Sequence, residues 1–449
     1  MKEKEILATR RAVLAGAGMA AISTLTPLSA ASLNQRFPQA FRWGASTAGH
    51  QIEGNNTNSD LWLMENIKET TFKERSGDAC DSYNRWRQDI ALLKALGLNT
   101  YRMSIEWARI EPSPGQFSNA ELDHYKVILA DLHAAGITPA ITFFHTAAPR
   151  WFAEAGGWLN PDSPDLFARY CDRAVRALGD AMGYAFTINE PQVGLTYRTF
   201  PQSQAYFKSA DEREARAHAE AAHRTGVERF VTMNAPDIKA MTPQLLAAHK
   251  KGFAAIKAAQ PRLPTGVTLN LVDFQPGNEG SKFRELRELA YGLWMDAVKR
   301  DGDFVGVQTY RQVQIPGAGA KLPAQPAMPF VSPSQQNELI KQPSALRNTV
   351  EYVHERTGKP VFVTENGIDT ENDARRAWYM VQVLAGLHEA IAKGVPVLGY
   401  LHWSLLDNFE WQQGYGPKFG LASVDRATFK RTLKPSSAIY SRIVRRNAV

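Results

Sequence analysis

Eight short β-rich runs, each followed by an amphipathic stretch, constrain the fold of this 449-residue chain more than any other feature. The runs lie at residues 41–47, 100–105, 139–144, 185–189, 267–271, 304–310, 360–365 and 397–405. Helical periodicity predicts helices at 84–96, 120–135, 165–178, 244–258, 283–299, 343–354 and 374–392. Several of the runs are continuously apolar, which is typical of strands buried on both faces of a parallel sheet. Eight strand–helix units favour a single α/β domain, a (β/α)₈ TIM barrel with long βα loops, over two open sheets.

Two long connections are predicted to lie over one end of this barrel. Residues 191–265 form the longest gap between strands and include the charged stretch 211–216, and residues 315–333 are rich in Pro, Gly and Ala. Both follow the carboxyl end of a strand, where the active sites of such barrels lie. No linker divides the chain, so residues 32–449 are predicted to form one domain.

The first 31 residues differ from the rest. A charged start ends in Arg10 and Arg11, an uncharged Ala- and Gly-rich run follows, and small residues close the segment at Ala30 and Ala31. This pattern predicts a cleaved signal peptide of the twin-arginine type, and therefore a periplasmic or secreted protein with no membrane span after signal removal. The alternative is an uncleaved anchor, but Pro27 interrupts an apolar run that is marginal in length for a bilayer.

Composition excludes several other classes of protein. The chain has 52 Lys and Arg against 45 Asp and Glu, and it has no basic run with interleaved aromatic residues, which argues against a nucleic-acid partner. Two cysteines cannot build a disulfide framework, and no CxxC or HExxH spacing indicates a metal site. For Cys80 and Cys171, packing is favoured over a disulfide.

Two motifs place a glutamate where a buried strand stops. FTINEP contains Asn189-Glu190-Pro191, and VFVTENG contains Glu365 followed by Asn366-Gly367. The carboxyl ends of parallel barrel strands meet at one mouth, so these distant residues would become neighbours in space. Two facing carboxylates are the groups that cleave a glycosidic bond. The alternative for either motif alone is a helix cap or an arginine partner.

Further polar and aromatic residues are predicted to lie at the same mouth. Aromatic faces stack on sugar rings, while carboxylates and indole N–H groups hold sugar hydroxyls. Taken singly, the arginine could be a structural ion pair, the histidine a hydrogen-bonded core residue, and the tryptophans part of the core. The strand ends supply Gln51, Glu53, Arg102, His145 and Tyr310, and the segment after the last strand supplies Trp403, Glu410 and Trp411.

Together these residues closely resemble glycoside hydrolase family 1, the retaining β-glycosidases built on a (β/α)₈ barrel. The similarity runs from FRWGASTAGHQIEG at residue 41 to KPSSAIY at residue 440 and includes TINEP, TENG and GYLHWSLLDNFEW. The resemblance implies that Glu190 is the general acid/base and Glu365 the nucleophile, with Arg102 and Tyr310 contacting the nucleophile. It implies no metal and no organic cofactor.

The resemblance also implies a sugar-binding set and a mechanism. Trp403 matches the stacking platform, and the other positions that match sugar-holding residues are Gln51, His145, Asn189, Glu410 and Trp411. The expected reaction is hydrolysis of terminal β-linked sugars from an oligosaccharide or glycoside, through a covalent glycosyl-enzyme with the two carboxyls about 5–5.5 Å apart. A transglycosylase using the same intermediate and a non-catalytic sugar-binding barrel are the alternatives.

Three departures from the family pattern concern recognition. The family usually has a tryptophan after the third-strand histidine, where this chain has Thr146, and Gln308 replaces the usual asparagine. The loop at 315–333 also does not match. Loss of a buried hydrogen-bond partner costs about 1–3 kcal/mol, so we expect an altered preference for plain glucose and a pocket open to a different or decorated glycone.

Overall fold

Eight parallel strands close into a barrel in the computed structural model, which describes residues 35–199, 204–317 and 342–449. Each strand pairs with its neighbours in sequence, and the first pairs with the last. The predicted TIM barrel is therefore confirmed, with every predicted strand present and its ends shifted by at most two residues. The strands are β1 Arg42–Ser46, β2 Thr100–Ser104, β3 Thr138–Phe144, β4 Tyr184–Asn189, β5 Thr265–Asn270, β6 Phe304–Gln308, β7 Val361–Asn366 and β8 Val397–Trp403.

The predicted connecting helices are also present. Their bounds are Ser82–Leu96, Asn119–Ala134, Ser163–Leu178, Ile238–Ala259, Phe283–Arg300, Ser344–Thr357 and Asp373–Ala392. Further helices are Gly49–Ile52, Asp60–Glu65, Trp107–Ile110, Arg150–Glu154, Val193–Arg198, Gln204–Thr225 and Pro435–Arg446, and the short 3₁₀ helices are Gly157–Leu159, Gly179–Ala181 and Trp411–Gln413.

One helix begins six residues before its predicted start. The sequence predicts a start at Gln244, directly after Pro243, whereas the helix begins at Ile238 with Pro243 inside it. Ile238 and Met241 are buried, so their packing offsets the hydrogen bond that proline cannot donate. Tertiary burial here overrides a local break signal.

The long connection between β4 and β5 contains the helix Gln204–Thr225, which we call the cavity helix. The charged stretch 211–216 lies on it. After β5 and β6, the short strands Asp273–Pro276 and Gln312–Ile315 pair in parallel, and Ala422–Val424 pairs antiparallel with Arg431–Leu433. Of the predicted loop 315–333, residues 318–333 lie outside the described residues, as does the predicted signal peptide 1–31.

The interior of the barrel changes from apolar to polar along its axis. Phe186, Phe304 and Phe362 pack together inside it with Ala140 and Leu401. The Arg102 guanidinium carbon lies 5.4 Å from the centre of the Phe186 ring. The buried charge of Arg102 therefore packs directly on this apolar cluster. Cys80 and Cys171 are buried with free thiols. Among the described helices, none is long and apolar enough to cross a bilayer.

Candidate active site

The carboxyl ends of the strands surround one cavity of about 530 Å³. This is the end of a (β/α)₈ barrel where catalytic residues collect. Most of the residues predicted for the mouth line this cavity: His145, Asn189, Glu190, Tyr310, Glu365, Trp403, Glu410 and Trp411. Arg102 and Gln51 are fully buried in its wall and hydrogen-bond to cavity residues.

The Glu365 carboxylate is held by three donors. Arg102 Nη1 and Gln308 Nε2 donate to its Oε1 at 2.5 and 2.7 Å, and the Tyr310 hydroxyl donates to Oε2 at 2.8 Å. Burial raises the pKa of Glu365, while the positive charge of Arg102 and the hydrogen bond from Tyr310 act in the opposite direction. The donors therefore fix the orientation of the carboxylate and favour its ionised form, while burial keeps its pKa above the ordinary value.

Glu190 has a different environment. Among the described residues its carboxylate accepts one side-chain hydrogen bond, from Asn270, whose Nδ2 donates to Oε1 at 2.8 Å. Burial and then the negative charge of Glu365 raise the pKa of Glu190 to about 8. The backbone of Glu190 has a φ of 48°, so strand β4 ends directly before this residue. Two other cavity residues, Thr146 and Trp411, also have positive φ. Such conformations are uncommon outside glycine and collect at functional sites.

Three hydrogen bonds to its side-chain oxygen fix the orientation of the Asn189 amide. Its Oδ1 accepts hydrogen bonds from Arg102, Thr268 and Gln308 at 2.6, 2.8 and 2.9 Å. Its Nδ2 therefore points the other way and lies 3.0 Å from His145 Nε2. Burial, aided by the charge of Arg102, lowers the pKa of His145 well below its usual value, so this imidazole is neutral. The site thus presents a fixed amide donor beside a neutral ring.

Aromatic rings and a third carboxylate form another wall. The His145 ring stacks between Trp403 and Trp411, with ring centres 6.0 Å from each. Trp403 Nε1 donates to Glu410 Oε1 at 3.1 Å, and Gln51 Nε2 lies 3.4 Å from Glu410 Oε2. Burial raises the pKa of Glu410 to about 8. The flat faces of the two tryptophans suit the faces of a sugar ring, and the Glu410 carboxylate and the neighbouring N–H donors suit its hydroxyls.

A family model described as glycosyl hydrolase family 1 matches residues 33–238 and 295–449. The chain belongs to glycosyl hydrolase family 1. The resemblance inferred from the sequence motifs is therefore confirmed, and with it the assignment of the protein as a β-glucosidase-like, retaining glycoside hydrolase.

Relatives of this family 1 enzyme match over nearly its whole length. A β-glucosidase of Agrobacterium sp. is 31% identical over 91% of this chain and 95% of its own, and β-glucosidase A of Thermotoga maritima is 28% identical over 92% and 99%. Among solved structures, a β-glycosidase is 41% identical with a TM-score of 0.82, covering 92% of this chain and 98% of its own. An apo β-glucosidase is 38% identical with a TM-score of 0.83, over 90% and 98%.

Glu53 was predicted to lie at the mouth of the barrel, but in this family 1 enzyme it does not line the cavity. Its carboxylate pairs with Arg109 at 2.9 Å and accepts a hydrogen bond from Tyr125 at 3.0 Å. The helix Gly49–Ile52 turns the chain between the two residues, so Gln51 points to the cavity wall and Glu53 away from it. The expectation that Glu53 lies at the mouth is therefore wrong, because its carboxylate is held in an ion pair with Arg109.

Several contacting residues of the family 1 site were not singled out from the sequence. Asn270 ends strand β5 and contacts Glu190, so the same strand-end rule could have found it. Thr268 and Thr142 hold Asn189 and Arg102 from inside the barrel, and threonine in a strand carries no signal of such a role. Gln308 was noted only as a departure, yet it bridges Asn189 and Glu365.

Proposed function

We propose that the protein is an exported retaining β-glycosidase that hydrolyses terminal β-linked sugars, with Glu365 as nucleophile and Glu190 as general acid/base. One observation carries this assignment of roles. Glu365 receives donors from Arg102, Gln308 and Tyr310, whereas Glu190 receives one neutral donor and has a pKa of about 8. Of two interacting acids, the one with the cation and more donors ionises first.

The first chemical step follows from these protonation states. A Glu365 oxygen attacks the anomeric carbon, and the bond from that carbon to the leaving oxygen breaks. The Glu190 proton passes to that oxygen, so the leaving group departs as a neutral alcohol. The product is a glycosyl ester on Glu365.

The second step reverses the roles. Formation of the ester removes the negative charge of Glu365, which lowers the pKa of Glu190 and leaves it as a base. Glu190 takes a proton from water, the water oxygen attacks the anomeric carbon, and the ester bond breaks to restore the Glu365 carboxylate. Two inversions at one carbon retain its configuration.

The surrounding residues are proposed to hold the sugar in place. The Asn189 Nδ2 donor lies beside the two carboxylates and would bind the 2-hydroxyl, a contact that strengthens in the transition state. Gln51, His145, Glu410 and Trp411 would hold the remaining hydroxyls, and Trp403 would form the stacking platform.

Azide rescue tests the two carboxylates separately. Glu365→Ala is expected to reduce turnover of a nitrophenyl glycoside by several orders of magnitude, and azide should restore it by entering the vacated space and giving an inverted glycosyl azide. Glu190→Ala should instead give the retained azide, because Glu365 still forms the ester. Unchanged turnover by Glu365→Ala would contradict the mechanism.

Product analysis separates the alternatives. Free sugar as the main product supports hydrolysis, elongated glycosides support a transglycosylase, and no nitrophenol release supports a sugar-binding barrel. A panel of glycones in the same assay also identifies the preferred sugar. The β-glucosidase names of the relatives make the β-glucoside the first substrate to test.

Export rests on residues 1–31, with the paired Arg10 and Arg11 before an uncharged run. The protein produced in a bacterium with a twin-arginine pathway should appear in the periplasm with a new N-terminus near residue 32. Replacing both arginines by lysine should leave the full-length chain in the cytoplasm. Periplasmic processing of that double variant would contradict the proposed signal.

A further inference from the structure

The cavity helix lines the same active-site cavity as Thr146, the position where the chain departs from its family. Ala217 and Ala221 of this helix pack in one apolar cluster with Phe72, Ala147 and Phe409. Ala147 directly follows Thr146, the residue that stands where the family usually has tryptophan. The helix and the residue after the missing indole therefore belong to one apolar cluster.

Glu214 is the residue of this helix that faces the same space. It precedes Ala217 by three positions, so the two side chains share one face of the helix. Glu214 and Thr146 both line the cavity. The side chain of Glu214 is 13% exposed, which makes it a carboxylate sheltered inside the cavity rather than on the outer surface.

The positive charges of Arg198 and Arg213 act on Glu214 from a distance, but both side chains bond to other residues. On the same helix Asp211 is paired with Arg198, and Arg213 donates to Ser209. His218 Nδ1 lies 3.8 Å from Glu214 Oε2, but burial lowers the pKa of His218 and keeps it neutral at pH 7. Within residues 35–199, 204–317 and 342–449, no lysine or arginine forms a salt bridge with Glu214.

Burial has a cost for this carboxylate. It raises the pKa of Glu214 to about 7, while the nearby Thr71 and the positive charges of Arg198 and Arg213 act in the opposite direction. An acid held in a cleft without a direct ion pair to lysine or arginine is costly unless a ligand supplies hydrogen bonds to it, and such groups are common in functional sites. Thr71 also lines the cavity, so the two residues present neighbouring oxygen atoms to a ligand.

We propose that Glu214 is a specificity-determining residue that binds a hydroxyl group of the substrate's non-reducing sugar, in the space beside Thr146. This inference rests on the proposed function. The glycone end is favoured over the leaving-group end because Thr146 follows His145, which stacks between Trp403 and Trp411 and lies against Asn189.

The chemistry of recognition changes accordingly. The indole of tryptophan can only donate a hydrogen bond, whereas an ionised carboxylate only accepts, and a sugar hydroxyl can do either. Glu214 would therefore accept a hydrogen bond from a sugar hydroxyl. The tryptophan usual in the family instead donates a hydrogen bond to a sugar hydroxyl. Because the carboxylate comes from the cavity helix rather than from β3, it reaches a sugar with a different hydroxyl geometry or with a substituent in the opened space.

A hydroxyl-deletion cycle tests this contact. The probes are 4-nitrophenyl β-D-glucoside and its 3-, 4- and 6-deoxy analogues, assayed with the wild type, Glu214→Ala, Glu214→Gln and the control Glu212→Ala. Glu212 is exposed on the same helix and does not line the cavity. For the wild type, deletion of the bound hydroxyl should lower kcat/KM about tenfold or more, since the carboxylate loses its partner.

The expected pattern is specific to one hydroxyl. Glu214→Ala should lower kcat/KM for the parent glucoside about tenfold, mainly through KM, and should make deletion of that one hydroxyl nearly neutral while the other two penalties persist. Glu214→Gln should retain part of the effect because its amide oxygen still accepts, and Glu212→Ala should match the wild type.

Two results would overturn the inference. One is a folded Glu214→Ala variant in which all three deletion penalties equal those of the wild type; if that variant does not fold, the same comparison with Glu214→Gln decides. The other is an unchanged kcat/KM for the parent glucoside. Failure of the wild type to release nitrophenol from any β-glycoside would instead remove the proposed function, and with it this contact.

Discussion

The guanidinium of Arg102 and the carboxylate of Glu365 lie 2.5 Å apart at the centre of the barrel, although 263 residues separate them in the chain. Both side chains are almost completely buried. The same guanidinium donates to Asn189 at 2.6 Å and to Thr142 at 3.0 Å. A single cation therefore sets both the charge of the proposed nucleophile and the orientation of its neighbouring amide.

Arg102→Met is expected to move the acidic side of the pH–activity profile to higher pH. Arg102 lowers the pKa of Glu365 against the effect of burial, so its removal raises that pKa and a higher pH is needed to ionise the nucleophile. An opposite charge at this distance is worth about 1–3 pKa units. The measurement is kcat/KM for a nitrophenyl glucoside against pH. An acidic limb at the wild-type position would contradict the role of Arg102.

Glu190 is expected to set the alkaline side of the same profile. Its pKa of about 8 lies above the ordinary value, so the protonated, active acid persists through neutral pH and is lost as the pH rises past about 8. Glu190→Gln should remove the alkaline limb and keep the acidic one, measured with a dinitrophenyl glycoside whose leaving group needs no proton. Persistence of the alkaline limb in this variant would assign it to another group.

Gln308→Ala is expected to lower kcat/KM by about tenfold or more, because Glu365 and Asn189 each lose a buried donor. Gln308→Asn restores the residue usual in the family, and its kcat/KM should lie between those of the wild type and Gln308→Ala. The shorter asparagine side chain cannot reach both acceptors unless they shift. The matched control is Gln275→Ala, whose amide donates to Asp273 outside the cavity lining. Equal activity of Gln308→Ala and the wild type would show that the bridge is not used.

A stability prediction concerns Arg431 and Asp89, which join the helix Ser82–Leu96 to the hairpin near the C-terminus. They form a 2.8 Å pair with side chains 2% and 3% exposed. Arg431→Met leaves a buried carboxylate without its cation and should reduce the free energy of unfolding by about 3–5 kcal/mol, measured by urea denaturation at pH 7. The double variant with Asp89→Asn should recover part of this loss.

An exposed pair provides the comparison for that experiment. Arg176 and Asp172 lie one helical turn apart with side chains 61% and 41% exposed. Arg176→Met should leave the free energy of unfolding close to that of the wild type, because water screens such a pair. A similar loss in both variants would show that burial does not decide the contribution of the Arg431 pair.

Strands and most helices were predictable because their signals are local. Short β-rich runs, several of them continuously apolar, predicted all eight strands, and the strand-end rule predicted where Glu190 and Glu365 would meet. The early start of the helix Ile238–Ala259 was not predictable, since Pro243 is a local break and the burial of Ile238 is a tertiary effect. The direction of the Glu53 side chain was not predictable either. It is set by the four-residue helix Gly49–Ile52, which is too short to show helical periodicity in the sequence.

The amino-acid sequence by itself determined the barrel, the family and the two carboxylates at its mouth, because these depend on periodicity and on motifs of adjacent residues. Only the tertiary structure decided which donors hold each carboxylate, that Gln308 bridges Asn189 and Glu365, and that Glu214 and Thr146 line one cavity. These relationships join residues from different strands and loops, and their energies depend on burial and on distances of a few ångströms that no local pattern encodes.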